Sequence, residues 1–129
     1  MIDPTQAFHG FAVPDIDAAR AFYTDVLGIE VTEESGMLQL HVGGGTPTLV
    51  YPKPDHQPAT YTVLNFPVPD VEAAVDDLTA RGVGFERYQG TPVETDEKGV
   101  FRGGGPLIAW FTDPAGNVMS VIETESSPG

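Results

Sequence analysis

The chain contains nearly the same nine-residue pattern twice: "FAVPDIDAA" begins at Phe11 and "FPVPDVEAA" begins at Phe66. In each copy, the alternation of side chains ahead of the Pro-Asp pair is typical of a strand. Asp15 and Asp70 then stand where a helix N-cap is expected, and an apolar stripe at helical spacing follows each of them. Both copies therefore predict a strand that leads directly into a helix.

Each predicted helix ends at a glycine, Gly28 in the first copy and Gly82 in the second. Three strand-like segments follow each glycine: "IEVTEE", "GMLQLHV" and "TPTLVYP" after the first, and "VGFERY", "PLIAWFT" and "NVMSVIE" after the second. Each half of the chain is thus predicted to be a strand, a helix and three strands. We expect an α+β fold with module one at 5–52, a Pro-rich linker at 53–59 and module two at 60–125.

Size and charge limit the functions that such a chain can have. The 129 residues correspond to one ordinary domain, so the two half-domains are expected to pack together. The 19 acidic residues against 6 basic residues give a net charge of −13, which disfavours nucleic acid and anionic membrane surfaces as partners. There is no cysteine for a disulfide or a thiolate nucleophile. No apolar run is long enough to span a membrane and "MIDPTQAF" lacks the features of a signal peptide, so we expect a cytoplasmic protein.

Two motifs in the repeat resemble a known superfamily. The segment "DIDAARAFYTDVLG", followed late in the chain by "FTDPAGNVMSVIE", is similar to the vicinal oxygen chelate superfamily. That group includes glyoxalase I, extradiol dioxygenases, fosfomycin-modifying enzymes and bleomycin-type resistance proteins. The resemblance covers essentially the whole chain and implies two paired βαβββ modules that form a cup-shaped curved sheet, commonly completed across a homodimer. The fold alone does not specify the chemistry, which depends on the residues inside the cup.

Enzymes of this superfamily hold a divalent ion in the cup through His, Gln or Glu. By resemblance, the ligand positions fall seven residues before each capping Asp, at Phe8 and Val63, and four residues after the glycine of the "DPAG" turn, at Ser120. The remaining position falls at Leu49 or Val50. None of these side chains is a usual ligand, and a neutral hydroxyl binds metal poorly. We therefore expect no metal site and no cofactor.

The three histidines do not readily replace these ligands. His9 is adjacent to an expected ligand position, so on a strand its side chain faces the other way. His41 has the same parity as Gln39 and is expected to face the cup, where a hydrogen-bonding role is favoured over metal binding. His56 lies in the linker and is expected to be solvated. A displaced metal site that uses His41 remains an alternative.

Without a metal, the predicted concave surface is apolar, aromatic and mildly polar. Trp110 is the only tryptophan, and it alternates with Phe111, which resembles a core residue of the superfamily; Trp110 is therefore expected inside the cup. Segment 89–105 is long for a loop between strands and is either a lid over the cup or an extension at the dimer edge. The other expected ligand-binding residues comprise inward-facing strand positions, His41, two rim tyrosines and an apolar contact of the lid: Phe8, Val63, Asn65, Ser120, His41, Tyr51, Tyr61 and Phe101.

These features favour a metal-independent protein that sequesters a bulky aromatic natural product or antibiotic, similar to the bleomycin-type resistance proteins. The acidic charge and a cation–π contact with Trp110 also favour an amine on that ligand. One alternative is a superfamily enzyme, a lyase, isomerase or dioxygenase, with a displaced metal site. Another is a domain whose dimer surface is its function. No catalytic residue is predicted.

Overall fold

The computed structural model describes residues 2–43 and 46–124 and divides the chain into two compact units, Met1–Pro58 and Ala59–Gly129. Unit one contains a mixed sheet of strand order β1-β4-β3-β2, in which β1 and β4 are parallel and the other neighbours are antiparallel. Its elements are β1 (Gly10–Val13), α1 (Ile16–Ala21), β2 (Val31–Glu34), β3 (Met37–Leu40) and β4 (Thr48–Pro52).

The helix of unit one begins at its predicted cap. The Asp15 carboxylate accepts hydrogen bonds from two backbone N–H groups of the first turn, at 3.0 and 3.2 Å. After α1 the chain forms one turn of π-helix, Phe22–Val26, and then reverses at Gly28, which has a φ of +70°. Tyr23 is fully buried with its ring centroid 6.1 Å from that of Phe11. The helical segment therefore packs against the sheet face that carries Phe11.

Unit two repeats this arrangement with a sheet of order β5-β8-β7-β6, in which β5 and β8 are parallel. Its elements are β5 (Thr62–Val68), α2 (Val71–Ala80), β6 (Val100–Phe101), β7 (Ile108–Thr112) and β8 (Val118–Glu123). Across the described ranges, two α-helices and eight strands thus confirm the predicted α+β class and the two βαβββ modules. No helix in these ranges has the length and apolar character needed to cross a membrane.

The start of α2 is held by two carboxylates. Asp70, the predicted cap, accepts a hydrogen bond from the N–H of Ala73 at 3.1 Å. Glu123, at the end of β8, accepts one from the N–H of Val71 at 3.2 Å. The last residue of β8 therefore ties this strand to the helix packed on its sheet.

The strand predicted at 83–88 is much shorter than expected. Phe85 forms a single bridge to Phe111, and the N–H of Glu86 donates to the carbonyl of Trp110 at 2.8 Å. Tyr88 then adopts a left-handed backbone with φ of +47°, which turns the chain away from the edge of β7. The chain returns to this edge as β6, inside the segment that was predicted to be a loop. Residues 85–86 and β6 therefore pair with different parts of the same edge of β7.

Candidate ligand-binding site

The two faces of the unit-two sheet have different roles. On β7, Ala109 and Phe111 are buried, whereas the alternating residues Ile108, Trp110 and Thr112 are only half-buried. Side chains alternate across a strand, and laterally paired residues share a face. The buried set faces α2, so Trp110 lies on the opposite face of the sheet. We call this surface the Trp110 face.

A row of four side chains crosses the Trp110 face. Trp110 pairs with Ser120 of β8, and Ser120 pairs with Asn65 of β5. On the other side of Trp110, Glu86 lies opposite it through the 2.8 Å backbone hydrogen bond. We call Asn65, Ser120, Trp110 and Glu86 the cross-strand row. The predicted residues Asn65, Ser120 and Trp110 thus come together, and the row also includes a carboxylate that sequence reasoning missed.

The position of Glu86 follows from its neighbour. Phe85 packs its ring 5.6 Å from that of Phe111, on the side of the sheet that faces α2. Consecutive residues on an extended chain point to opposite faces, so the half-buried Glu86 points to the Trp110 face. Its acidic side chain is therefore on the same face of the sheet as the indole.

Three rings form an aromatic cluster on this face. The centroid of Trp110 lies 5.4 Å from that of Tyr88, with the planes at 66°, and 5.9 Å from that of Phe101, with the planes at 49°. The indole Nε1 donates a hydrogen bond to Oγ1 of Thr62 at 3.1 Å. Tilted and edge-on pairs of this kind stabilise one another beyond simple area burial. Because its polar edge is already bonded, the indole offers a ligand mainly its apolar ring.

Tyr88 is the second functional candidate that sequence reasoning missed. Burial raises the pKa of its phenol, and the neighbouring Glu86 carboxylate raises it further. The phenol therefore stays neutral at pH 7. Its parity with Glu86 in "FERY" was the available signal, but the left-handed turn that brings the ring onto Trp110 has no equivalent in the strand pattern.

Segment 89–105 is bonded both internally and to α2. Asp96 accepts hydrogen bonds from the backbone N–H groups of Lys98 and Val100, both at 2.9 Å, and from Nε of Arg102 at 2.8 Å. Burial raises the pKa of Asp96, but these hydrogen bonds together outweigh it and hold the pKa below its usual value. The Arg102 guanidinium also donates to Glu72 of α2 at 2.8 Å.

The two side chains of β6, which is part of this segment, point to opposite faces of the sheet. Val100 is completely buried and pairs with Ala109 on the side of α2, whereas Phe101 pairs with Ile108 on the Trp110 face. Lys98 adds an ion pair to Asp76 of α2 at 3.0 Å. The segment thus carries Phe101 to the aromatic cluster, as a lid contact would require, while Lys98 and Arg102 bind the helix.

In unit one, the predicted residue His41 belongs to a polar group. Its Nε2 lies 2.9 Å from Oγ1 of Thr32, which also donates to Oε1 of Gln39 at 3.1 Å. Gln39 pairs with Leu49 on the face away from α1, whereas Val50 is fully buried on the other face. The register therefore places Leu49, not Val50, on the same face as Gln39.

The remaining predicted residues lie at strand ends. Tyr51 lies in β4 and is 39% exposed; Phe8 precedes β1 and is 57% exposed; Tyr61 precedes β5 and is 70% exposed. Val63 sits at the irregularity where the pairing of β5 with β8 shifts register, and it is half-buried. None of these four belongs to the cross-strand row or to the aromatic cluster.

Two histidines outside these groups have different surroundings. His9 is exposed and directly precedes β1, and its carbonyl accepts a hydrogen bond from the N–H of Leu49 at 2.9 Å. His56 was expected to be solvated, but its Nε2 is buried and has no hydrogen-bond partner among the described residues. Neither histidine contributes to the polar group around His41.

The residues at the ligand positions of the superfamily do not fit a divalent ion. Phe8, Val63 and Leu49 have no donor atom, and the buried hydroxyl of Ser120 donates to Oδ1 of Asn65 at 2.5 Å. Within 2–43 and 46–124, no group of three or more His, Asp or Glu side chains is arranged to hold a metal. A neutral hydroxyl and apolar side chains are not a ligand set that binds such ions.

A groove of about 270 Å³ lies elsewhere in unit two. Val75 and Thr79 of α2, Phe85, and the Asp76–Lys98 ion pair line it. None of its lining residues belongs to the aromatic cluster or to the cross-strand row. The groove is on the helix side of the sheet, so it is not part of the Trp110 face.

A protein-family profile matches most of the chain, including both copies of the repeated module. The profile described as Glyoxalase/Bleomycin resistance protein/Dioxygenase superfamily matches residues 2–121. The chain belongs to this superfamily. The match confirms the resemblance inferred from the two sequence motifs. No curated protein matches the chain.

Several solved structures share the fold at low sequence identity. UcmS2 is 20% identical, with a TM-score of 0.69, and the alignment covers 91% of this chain and 96% of that chain. FosX, a genomically encoded fosfomycin resistance protein from Listeria monocytogenes, is 16% identical, with a TM-score of 0.68 and coverage of 98% and 97%. TnmS3, an antibiotic binding protein from a Streptomyces species, is 24% identical, with a TM-score of 0.63 and coverage of 93% and 97%. At these identities the likeness concerns the fold alone.

Proposed function

We propose that this superfamily member is a metal-independent binding protein that sequesters a bulky aromatic natural product or antibiotic on the Trp110 face. The observation that carries the proposal is the aromatic cluster, in which Tyr88 and Phe101 flank an indole whose N–H is already hydrogen-bonded. A wall of this kind recognises a flat apolar surface. The antibiotic binding described for TnmS3, which has the same fold, is consistent with this role.

The energetics favour a ligand that contacts more than one ring. Burial of roughly 200 Å² of aromatic surface contributes about 5 kcal/mol at ~25 cal/mol per Å². Association costs about 4–15 kcal/mol in lost freedom of motion, so one ring alone would bind weakly. Three adjacent rings, together with the polar groups of the cross-strand row, provide enough contact for useful affinity.

The test measures binding of a planar probe, 2-(hydroxymethyl)anthraquinone, by isothermal titration calorimetry. We expect Trp110→Ala to weaken binding at least about tenfold because it removes the largest ring. Phe85→Leu is the matched control, since Phe85 packs on the opposite face against Phe111; it should leave the Kd within about twofold. Equal affinity of wild type and Trp110→Ala would contradict the proposal.

Metal independence is tested in the same titration. We expect the Kd to be the same after dialysis against a chelator and after addition of Mn, Fe, Ni or Zn, because the superfamily ligand positions lack donor side chains. One equivalent of metal per chain, with probe binding lost on chelation and in His41→Ala, would favour the displaced metal site and an enzymatic role.

We also propose a cytoplasmic homodimer. The support is the architecture that the superfamily resemblance implies, with cups commonly completed across two copies. Light scattering coupled to size-exclusion chromatography is expected to give twice the chain mass. A monomer that still binds the probe would remove the dimer from the proposal without affecting ligand binding.

A further inference from the structure

The cross-strand row has chemically different ends. Glu86 supplies a carboxylate at one end, Asn65 supplies an amide at the other, and the indole of Trp110 lies between them. We infer that the ligand is a planar aromatic cation, whose protonated amine binds Glu86 and whose opposite end accepts a hydrogen bond from Asn65. This inference rests on the proposed function and specifies the class and the orientation of its ligand.

Glu86 is available for a ligand cation. Five of the six basic residues form ion pairs with other carboxylates, and no ion pair within the described residues involves Glu86; the five are Arg20, Lys53, Arg81, Lys98 and Arg102. The sixth, Arg87, follows Glu86 directly and is exposed, and alternation directs it to the other face. A half-buried carboxylate on the same face as an indole favours an amine, through charge at the carboxylate and cation–π attraction at the ring.

Asn65 is oriented to donate. The buried hydroxyl of Ser120 donates to Oδ1 of Asn65 at 2.5 Å, which fixes the direction of the amide. No described residue accepts a hydrogen bond from its Nδ2, and the side chain is exposed. An amide held in this way offers two N–H donors to a carbonyl or quinone oxygen of a ligand.

The spacing of the row suits an extended planar molecule. Asn65, Ser120, Trp110 and Glu86 occupy four adjacent chain segments, and neighbouring strands lie about 4.8 Å apart. The two polar ends are thus separated by about 14 Å, three strand spacings, along the backbone row. In a fused three-ring quinone with an aminomethyl substituent, the amine and a quinone oxygen cover about half of this distance, and the side chains of Glu86 and Asn65 with their hydrogen bonds cover the rest.

The experiment compares two probes that differ in one substituent, a protonated amine in 2-(aminomethyl)anthraquinone and a neutral hydroxyl in 2-(hydroxymethyl)anthraquinone, by calorimetry at pH 7 with the full chain. Wild type should bind the amine at least about tenfold more tightly, because hydrogen bonds to ionised groups are the stronger kind. Glu86→Gln should abolish this preference, so that the variant binds the two probes with about the same Kd. Glu97→Gln is the matched control: it removes the same charge from an exposed acid of segment 89–105 and should retain the preference.

Asn65→Leu tests the other end of the row. Both probes carry the quinone oxygens, so this change should weaken both by the same factor, about three- to tenfold, and leave the amine preference intact. Circular dichroism spectra of each variant verify that the fold is retained.

The possible outcomes separate the inference from the proposed function. If wild type binds both probes equally, or if Glu86→Gln keeps the preference, the assignment of the amine to Glu86 is wrong while aromatic binding stands. If Asn65→Leu leaves both affinities unchanged, the acceptor end is wrong. If neither probe binds wild type, the aromatic binding function fails and the inference fails with it.

Discussion

The indole Nε1 of Trp110 on β7 and Oγ1 of Thr62 on β5 are joined by a 3.1 Å hydrogen bond, although β8 lies between these two strands in the sheet. The ring must therefore extend across β8 instead of standing away from the sheet. One hydroxyl at the start of β5 thus fixes the orientation of the largest aromatic surface on the Trp110 face.

Replacement of this hydroxyl should change the environment of the indole and lower the stability of the fold. Thr62→Val keeps the shape but leaves the indole N–H without its partner, which should lower the free energy of unfolding by about 1–2 kcal/mol. Urea denaturation measures this loss, and a shifted emission maximum of the single tryptophan reports the freed ring. Thr60→Val, at an exposed threonine whose side chain makes no hydrogen bond to another described residue, should change neither quantity. Identical emission and stability in Thr62→Val and wild type would show that the bond does not hold the ring.

Substitutions at Tyr88 should distinguish the effect of backbone strain on stability from the effect of the ring on ligand binding. Tyr88→Gly relieves a left-handed backbone that costs a non-glycine residue about 1–2 kcal/mol, while it removes a ring contact worth about 0.5–1.5 kcal/mol. The free energy of unfolding should therefore change by less than about 1 kcal/mol. Binding of 2-(hydroxymethyl)anthraquinone should weaken about tenfold, because one of three rings is gone.

Tyr88→Phe is the matched variant, since it keeps the ring and removes only the hydroxyl. Its Kd and its stability should equal those of wild type. Undiminished probe binding in Tyr88→Gly would exclude the ring from the site.

Asp96 should contribute to stability in a pH-dependent way. Its pKa is lowered in the folded state, so its contribution is fully present above the ordinary carboxyl pKa of 3.8 and is lost as the pH falls through the lowered value. Asp96→Asn should therefore lower the free energy of unfolding by about 1 kcal/mol at pH 7, with a difference that shrinks below pH ~4. Urea unfolding at pH 7, 5, 4 and 3 measures the difference, and one that is constant over this range would contradict the assignment. Glu97→Gln, at the exposed side chain next to it, should leave the free energy of unfolding at pH 7 within about 0.5 kcal/mol.

Two glycines with the same backbone φ of +94° distinguish strain from steric overlap. A Cβ at Gly99 would lie 2.6 Å from Cβ of Phe85, whereas a Cβ at Gly82 would meet no atom within 4 Å. Gly82→Ala should cost about 1–2 kcal/mol from the left-handed backbone. Gly99→Ala should cost about 2–5 kcal/mol, because overpacking adds to the same strain. Thermal unfolding compares the stabilities of the two variants. Equal losses of stability would mean that the chain near residue 99 shifts to accommodate the added methyl group at no extra cost.

The parts of the fold that repeat could be predicted from the sequence. Asp15 and Asp70 cap their helices and Gly28 and Gly82 follow with positive φ, because capping and left-handed turns depend on local chemistry that the sequence displays directly. Alternation around Trp110 also carried enough information to separate it from the buried Phe111.

The edge of β7 could not be predicted in the same way. The apolar residues of 83–88 are typical of a strand, but the pairing stops after Phe85 and Glu86 because Tyr88 turns the chain away. β6 contains only two residues, too few for alternation to signal a strand. Glu86 and Tyr88 were missed for this reason, since their place beside Trp110 depends on where the pairing ends.

The interrupted edge of β7 also has an evolutionary consequence. The ladder of β5, β8 and β7 carries Asn65, Ser120 and Trp110, whereas Tyr88 and Phe101 belong to the excursion that leaves this ladder and returns to it. Insertions and deletions are tolerated best in such connecting segments. In descendants of this gene, changes in one surface segment can therefore replace the rings around the indole while the sheet that holds the indole is inherited intact.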